Sequence, residues 1–189
     1  MNNNPDYIII GASVLDALAL PVAPNVFETG SVAADHIAMH TGGDALNEAT
    51  VLASLGASVR LVSKIGADYA GNYIDAHCQH LKMDTTFLRR EASLETSVNL
   101  VLVDDLGERH FVTSPNGCLR KLYPSDIPDT AFFGARYLCF ASIFVFPAFD
   151  DDALAKLLSE AKKGGLILCA DMTKPKHGET LEDLKNSLP

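Results

Sequence analysis

Thr41-Gly42-Gly43-Asp44-Ala45-Leu46-Asn47-Glu48-Ala49, running on to Leu55-Gly56-Ala57, is the stretch on which the fold turns. Leu46, Ala49 and Ala53, with Leu52 and Leu55 less regularly, recur at helical spacing and make one apolar face. Gly56 is a C-terminal stop. The glycine pair in front has no Cβ atoms, so a ligand can come close to the backbone. The first amides of the helix have no intrahelical acceptor and are free to donate. Read alone, the pair is equally a plain tight turn, and Asn47 equally a solvated helix residue.

Outward from this helix the pattern alternates. On the N-terminal side, Tyr7 to Ile10 is a short apolar run ending at Gly11, as in a buried strand of a parallel sheet. Residues 14 to 40 are broken by Pro21, Pro24 and Gly30, and their short alternating stretches predict exposed strands. On the C-terminal side, Val59 to Ile65 reads as a strand, and Gly66 to Gly71 as a turn into a helix reaching about Leu81. Ser97 to Val103 and Arg109 to Thr113 form a hairpin whose turn is Asp104-Asp105-Leu106-Gly107. Tyr137 to Ala141 is a strand. Asp150-Asp151-Asp152 opens a helix with acids where the macrodipole favours them. Leu154, Leu157, Leu158 and Ala161 line its inner face, Lys162-Lys163 close it, and Gly164-Gly165 end it. Leu166 to Ala170 is the next strand, so a right-handed parallel crossover follows. The sum is a parallel α/β core interrupted twice by exposed strands, which either cover an active site or pair with a second subunit.

Composition narrows the function classes. The 189 residues suffice for one domain with a sizeable core. The formal net charge of -9 repels a phosphate backbone, and the basic residues gather only as Arg89-Arg90, Arg120-Lys121 and Lys162-Lys163, so nucleic acid is not an expected partner. Cys78, Cys118, Cys139 and Cys169 form no C-x-x-C pair and read as reduced thiols of a cytoplasmic protein. No basic leader opens the chain, and no apolar run is long enough for a bilayer, so no membrane is expected. The six histidines show no ligand pattern, and no metal site is expected. There is no G-x-S-x-G elbow and no Walker loop, and Gly11-Ala12-Ser13 fails the dinucleotide fingerprint.

The ordered motifs resemble a family. Gly42-Gly43 with Asn47, Ala49 and then Leu55-Gly56 resembles the N-terminal signature of ribokinase-type (PfkB) sugar kinases. Lys64-Ile65-Gly66-Ala67-Asp68 with Gly71 resembles the family's G-x-D-x-x-G element. Gly11 with Asp16 resembles the start of the family chain, and Thr96 to Phe111 its second lid segment. The resemblance implies a ribokinase-like α/β fold: a Rossmann-type parallel sheet flanked by helices, with a small antiparallel β lid from residues 14–40 and 97–113. Residues 1–189 would be the N-terminal part of one such domain. The implied activity is phosphoryl transfer from ATP, with Mg, to a hydroxyl of a small sugar such as fructose or ribose. A non-catalytic sugar-binding or dimerisation module, or a nucleoside kinase, is the alternative.

The implied substrate-binding residues are Asp16, Gly42, Gly43, Asn47, Asp68, Thr96, Asn99 and Asp171. A neutral polyol needs acceptors such as Asp16 and a group like Asn47 that both accepts and donates. Asp68 reads equally as a helix N-cap. Asp171 ends a strand, where ligands of parallel sheets collect, and in some relatives a basic residue after it, here Lys174, faces the site. A homodimer through the lid strands is the implied partner. The family's later G-A-G-D loop, whose amides stabilise the transferred phosphoryl group and whose Asp is the base, has no counterpart here, so no catalytic residue is expected in this chain.

Overall fold

The structure is a computed structural model and describes residues 4–173, 175 and 178–187. In chain order the elements are β1 (Tyr7–Ile10), β2 (Val14–Leu20), α1 (Val26–Thr29), β3 (His36–Gly42), α2 (Asp44–Ser54), β4 (Val59–Gly66) and α3 (Tyr69–His80). They continue with β5 (Leu88–Glu91), β6 (Val98–Val103), β7 (Arg109–Thr113), β8 (Tyr137–Ile143), α4 (Asp151–Lys163) and β9 (Ile167–Met172).

The parallel core is a five-stranded sheet in the order β5-β4-β1-β8-β9. Its two faces are set by the alternation of side chains along each strand. Ile8 and Ile10 of β1 join Val62, Leu138 and Phe140 under α4 and the turns of residues 118–132. Ile9 joins Leu61 and Ile65 under α2 and α3, against Leu46, Ala49 and Ile74. Nine of these eleven side chains are fully buried and the other two, Ile9 and Phe140, are 1% exposed. Each large one is worth about 1.5–3 kcal/mol relative to exposure. α4 is capped by Asp150, whose carboxylate accepts from the Ala153 amide at 2.9 Å.

The second sheet has the order β3-β2-β6-β7. It is mixed, where a wholly antiparallel sheet was expected. β2 pairs antiparallel with β3, and β6 with β7, but β2 and β6 run parallel. The reason is topological: β2 and β6 both carry the chain out of the core, while β3 and β7 carry it back. Residues 14–40 also hold a helical turn, α1, closed by Gly30 at φ +72°, where only strands were expected. β5 on one edge was missed because its four residues, Leu-Arg-Arg-Glu, carry neither an apolar run nor an alternation. The last strand starts one residue later than expected and runs on to Met172.

One polar contact pins the turns of residues 118–132 to the sheet. Lys64 of β4 meets Asp126 at 2.5 Å, with the two side chains 5% and 4% exposed. Lys64 Nζ also donates to the Lys121 carbonyl at 2.7 Å and lies 4.8 Å from the centre of the Tyr123 ring. Asp126 accepts in addition from Arg89 at 2.7 Å and from the Tyr123 amide at 2.9 Å.

Candidate functional site

The two sheets meet at the carboxyl ends of β1, β4 and β8. The chain leaves β1 through Gly11, Ala12 and Ser13 and enters β2, which carries Asp16. Register places His40, Asp16, Asn99 and Thr113 side by side across the small sheet. Asn99 Nδ2 donates to Asp16 Oδ1 at 2.8 Å, and the Thr113 hydroxyl donates to Asn99 Oδ1 at 2.8 Å. Asp16 is half-buried, so it keeps access to solvent.

The glycine pair stands against this row, and its need for glycine has a local cause. A Cβ on Gly42 would fall 2.2 Å from Asp16 Oδ2 and push the carboxylate off Asn99. A Cβ on Gly43, at φ +88°, would fall 2.5 Å from the Ala12 carbonyl oxygen. The space saved by the missing side chains is thus filled by Asp16 and Ala12. The Leu46 amide, at the start of α2, donates to that same Ala12 oxygen at 3.3 Å.

A second group gathers where β8 and β9 end. Ser142, buried and at φ +67°, sits in a bulge between Phe140 and Ile143. Its hydroxyl donates to Asp44 and its amide to Asp171. Asp171 is therefore tied to the first residue of α2. Glu48, one turn along, is pushed above the ordinary carboxylate range. Burial is the main cause; a hydrogen bond with Cys139 opposes it, and Asp171 and Asp44 add to it. The described residues include no group of three or more acids, histidines or thiols arranged to hold a metal ion, and no helix long and apolar enough to cross a membrane.

Over residues 6–189 the sequence matches the profile of the pfkB family carbohydrate kinases. The chain belongs to that family. It is 27% identical over 128 residues to a fructokinase of Klebsiella pneumoniae, across 67% of this chain and 41% of that protein. The fold is similar to that of a fructokinase with bound ATP from Xylella fastidiosa, with a TM-score of 0.77 at 20% identity, covering 97% of this chain and 58% of the other. It is also similar to an adenosine kinase from Sinorhizobium meliloti, with a TM-score of 0.70 at 20% identity, covering 88% and 56%. The chain thus spans a little over half the length of these structures and less than half of the curated relative.

Among the residues expected to form the site of this pfkB chain, Asp16, Gly42, Gly43 and Asn99 come together, and Asp171 joins Asp44 through Ser142. Asn47 lies one turn into α2, exposed, where it lines a groove of about 490 Å³ with Glu48, Cys139 and Cys169. Asp68 and Thr96 turn to each other: the Asp68 carboxylate accepts the Thr96 hydroxyl at 2.7 Å and the Thr96 amide at 2.8 Å. Lys174 lies outside the described residues. Sequence reading missed Asp44, Glu48 and Ser142. The available signal was position, since Ser142 ends a strand of a parallel sheet, where ligands collect.

Proposed function

We propose that this chain is the sugar-binding part of an ATP-dependent carbohydrate kinase that phosphorylates a hydroxyl of a small sugar such as fructose or ribose. The observation that carries the reading is the Asp16–Asn99 pair, held beside Gly42 at the junction of the two sheets. It offers a charged acceptor and an amide side by side on one face, the combination that a polyol's hydroxyls require. Asp171, tied to Asp44 through Ser142, belongs to the proposed set from the core side, while Asn47 stands apart from the pair on the exposed side of α2. Membership of the pfkB family and the fructokinase likeness support the substrate class. A cytoplasmic setting fits the four free cysteines.

The phosphoryl donor would be ATP with Mg. The residues present do not fit that pair as a binding set. The sequence has no G-A-G-D loop, and the described residues supply no metal cluster.

Replacing Asp16 or Asn99 by Ala is expected to weaken sugar binding by about 1.5–3 kcal/mol, roughly 10- to 150-fold, with little change in melting temperature. Calorimetric titration with pentoses, hexoses and nucleosides measures this, and unchanged affinity in both variants would mean that the site lies elsewhere. One observation favours a nucleoside as the second reading. Register puts Phe111 on the same face as Asp16 and Asn99, one pair further out, where an exposed ring could stack on a base. Tighter binding of adenosine than of fructose would select it.

The opposite face of the small sheet supports a homodimer. Ile37, Met39, Leu100 and Val112 share that face and are 75%, 53%, 48% and 56% exposed. A contiguous apolar strand surface of this kind is normally covered. Sedimentation is expected to give a dimer at micromolar concentration, and Leu100→Glu a monomer. A monomer in the wild-type chain removes the dimer from the proposal.

A further inference from the structure

We propose that Asp68 and Thr96 are positioning residues that clamp the root of the small sheet to the core. The role rests on the reading that this sheet covers the substrate. A simple helix cap needs one hydrogen bond, and Asp68 makes it: Oδ1 accepts from the Gly71 amide at 2.8 Å, starting α3. The same carboxylate then takes both donors of Thr96, a residue entering from another layer. The Thr96 hydroxyl passes the link on by accepting from the Gly66 amide, at the end of β4, at 2.8 Å. Thr96 is 2% exposed, so these bonds are shielded from water. Burial alone would raise the Asp68 carboxyl, but the bonds from Gly71 and Thr96 outweigh it and hold the group below its ordinary range.

The neighbouring residues tighten the grip. Ser97, fully buried, accepts from the Leu119 amide at 2.6 Å, and Cys118 donates from its amide to the Glu95 carbonyl at 2.9 Å. The strand root is therefore held from both sides. Gly66 and Gly71 leave no room for slack: a Cβ on Gly66 would lie 2.6 Å from the Thr96 amide, and one on Gly71 would lie 2.3 Å from the Gly66 carbonyl.

The other root, between β1 and β2, is built differently. Ser13 has a buried hydroxyl without a hydrogen-bond partner among the described residues, and the return strand enters the core through Gly42 and Gly43. One root is thus locked by a carboxylate and a hydroxyl that bond each other, while at the other the Ser63 hydroxyl donates to the Gly11 carbonyl at 2.6 Å and the return strand passes through glycines. The lock acts on the site because β6 begins two residues after Thr96 and carries Asn99. β6 is also paired along its length with β2, which carries Asp16. Fixing Thr96 fixes where the Asp16–Asn99 pair stands over the ends of the core strands.

The test is hydrogen exchange on the purified chain without ligand, comparing Asp68→Asn, Thr96→Val and Thr96→Ser. An Asn amide would face the Thr96 or Gly71 donor with a donor of its own, and Val leaves the Gly66 amide without its acceptor. Both are expected to speed exchange in β2, β3, β6 and β7 by about tenfold or more, with β1, β8 and β4 up to Ile65 unchanged. Thr96→Ser keeps the hydroxyl and is expected to exchange like the wild type. Acceleration of core and small sheet together in Thr96→Val, or none in the small sheet, overturns the proposal. If Asp68→Asn does not fold, the Val and Ser variants decide alone. No sugar is present, so the result stands apart from whether the chain binds one.

Discussion

Asp126→Ala is expected to destabilise the protein by about 3–5 kcal/mol. The reason is the company Asp126 keeps. Its side chain and that of Lys64 are 4% and 5% exposed, so the Lys64 ammonium has almost no water to fall back on. Removing the carboxylate leaves a buried cation with a carbonyl and an aromatic face as its remaining neighbours. It also releases Arg89 and the Tyr123 amide, which share the same carboxylate. For a chain of this length the loss corresponds to a fall in melting temperature of about 6–20 °C. Two controls separate the buried pair from its surroundings. Arg89 is half exposed, so Arg89→Ala is expected to cost no more than about 1 kcal/mol. Replacing Lys64 and Asp126 together by Met and Leu is expected to recover most of the loss, because no charge is then left unpaired. A thermal scan showing Asp126→Ala within 1 °C of the wild type would mean that water reaches Lys64 after all.

That pair also shows where sequence reading stops. Lys64 was legible as part of a motif on a strand, and Asp126 lay in a stretch without periodicity, so nothing local joined them. What local pattern could carry, it carried: the helix after Gly43, its stop at Gly56, the strand at Val59 and the acidic start of α4 follow from spacing and caps. The hairpin of β6 and β7 followed from its turn, whose Gly107 amide donates to the Asp104 carbonyl. The parallel pairing of β2 with β6 did not, because it depends on where two distant strands leave the core. The site divides in the same way. Asp16 and the glycine pair were legible from a resemblance, but the cause of the glycines was not. Only the coordinates place Asp16's carboxylate where a Gly42 side chain would go. Asp68 read equally as a cap and as a site residue, and the structure shows the cap. It caps α3 and holds Thr96 with the same two oxygens.

The purified 189-residue chain is expected to show no sugar-dependent release of ADP. Phosphoryl transfer depends on positioning and on positive groups around the transferred phosphate, and losing a single such donor typically costs about 10²–10³ in rate. A helix N-terminus is the usual source of backbone donors for an anion. Among the described residues, each of the three longer helices begins with an acid. α2 opens on Asp44, α3 is capped by Asp68, and α4 is capped by Asp150 and followed by Asp151 and Asp152. The positive end of every one of these dipoles is already met by a carboxylate, which repels a nucleotide's phosphates. The net charge of -9 adds to the repulsion at longer range. Around the proposed sugar position the described residues Asp16, Asp44, Glu48 and Asp171 are acids as well, with His40 beside Asp16. They suit hydroxyls and not a triphosphate. The chain also covers only 58% of the fructokinase structure that contains ATP. The measurement is a coupled ADP-release assay with a panel of sugars, run against a control without protein. Turnover well above that control, and lost in Asp16→Ala, would show that these residues assemble a phosphoryl-transfer site that their geometry and charge argue against.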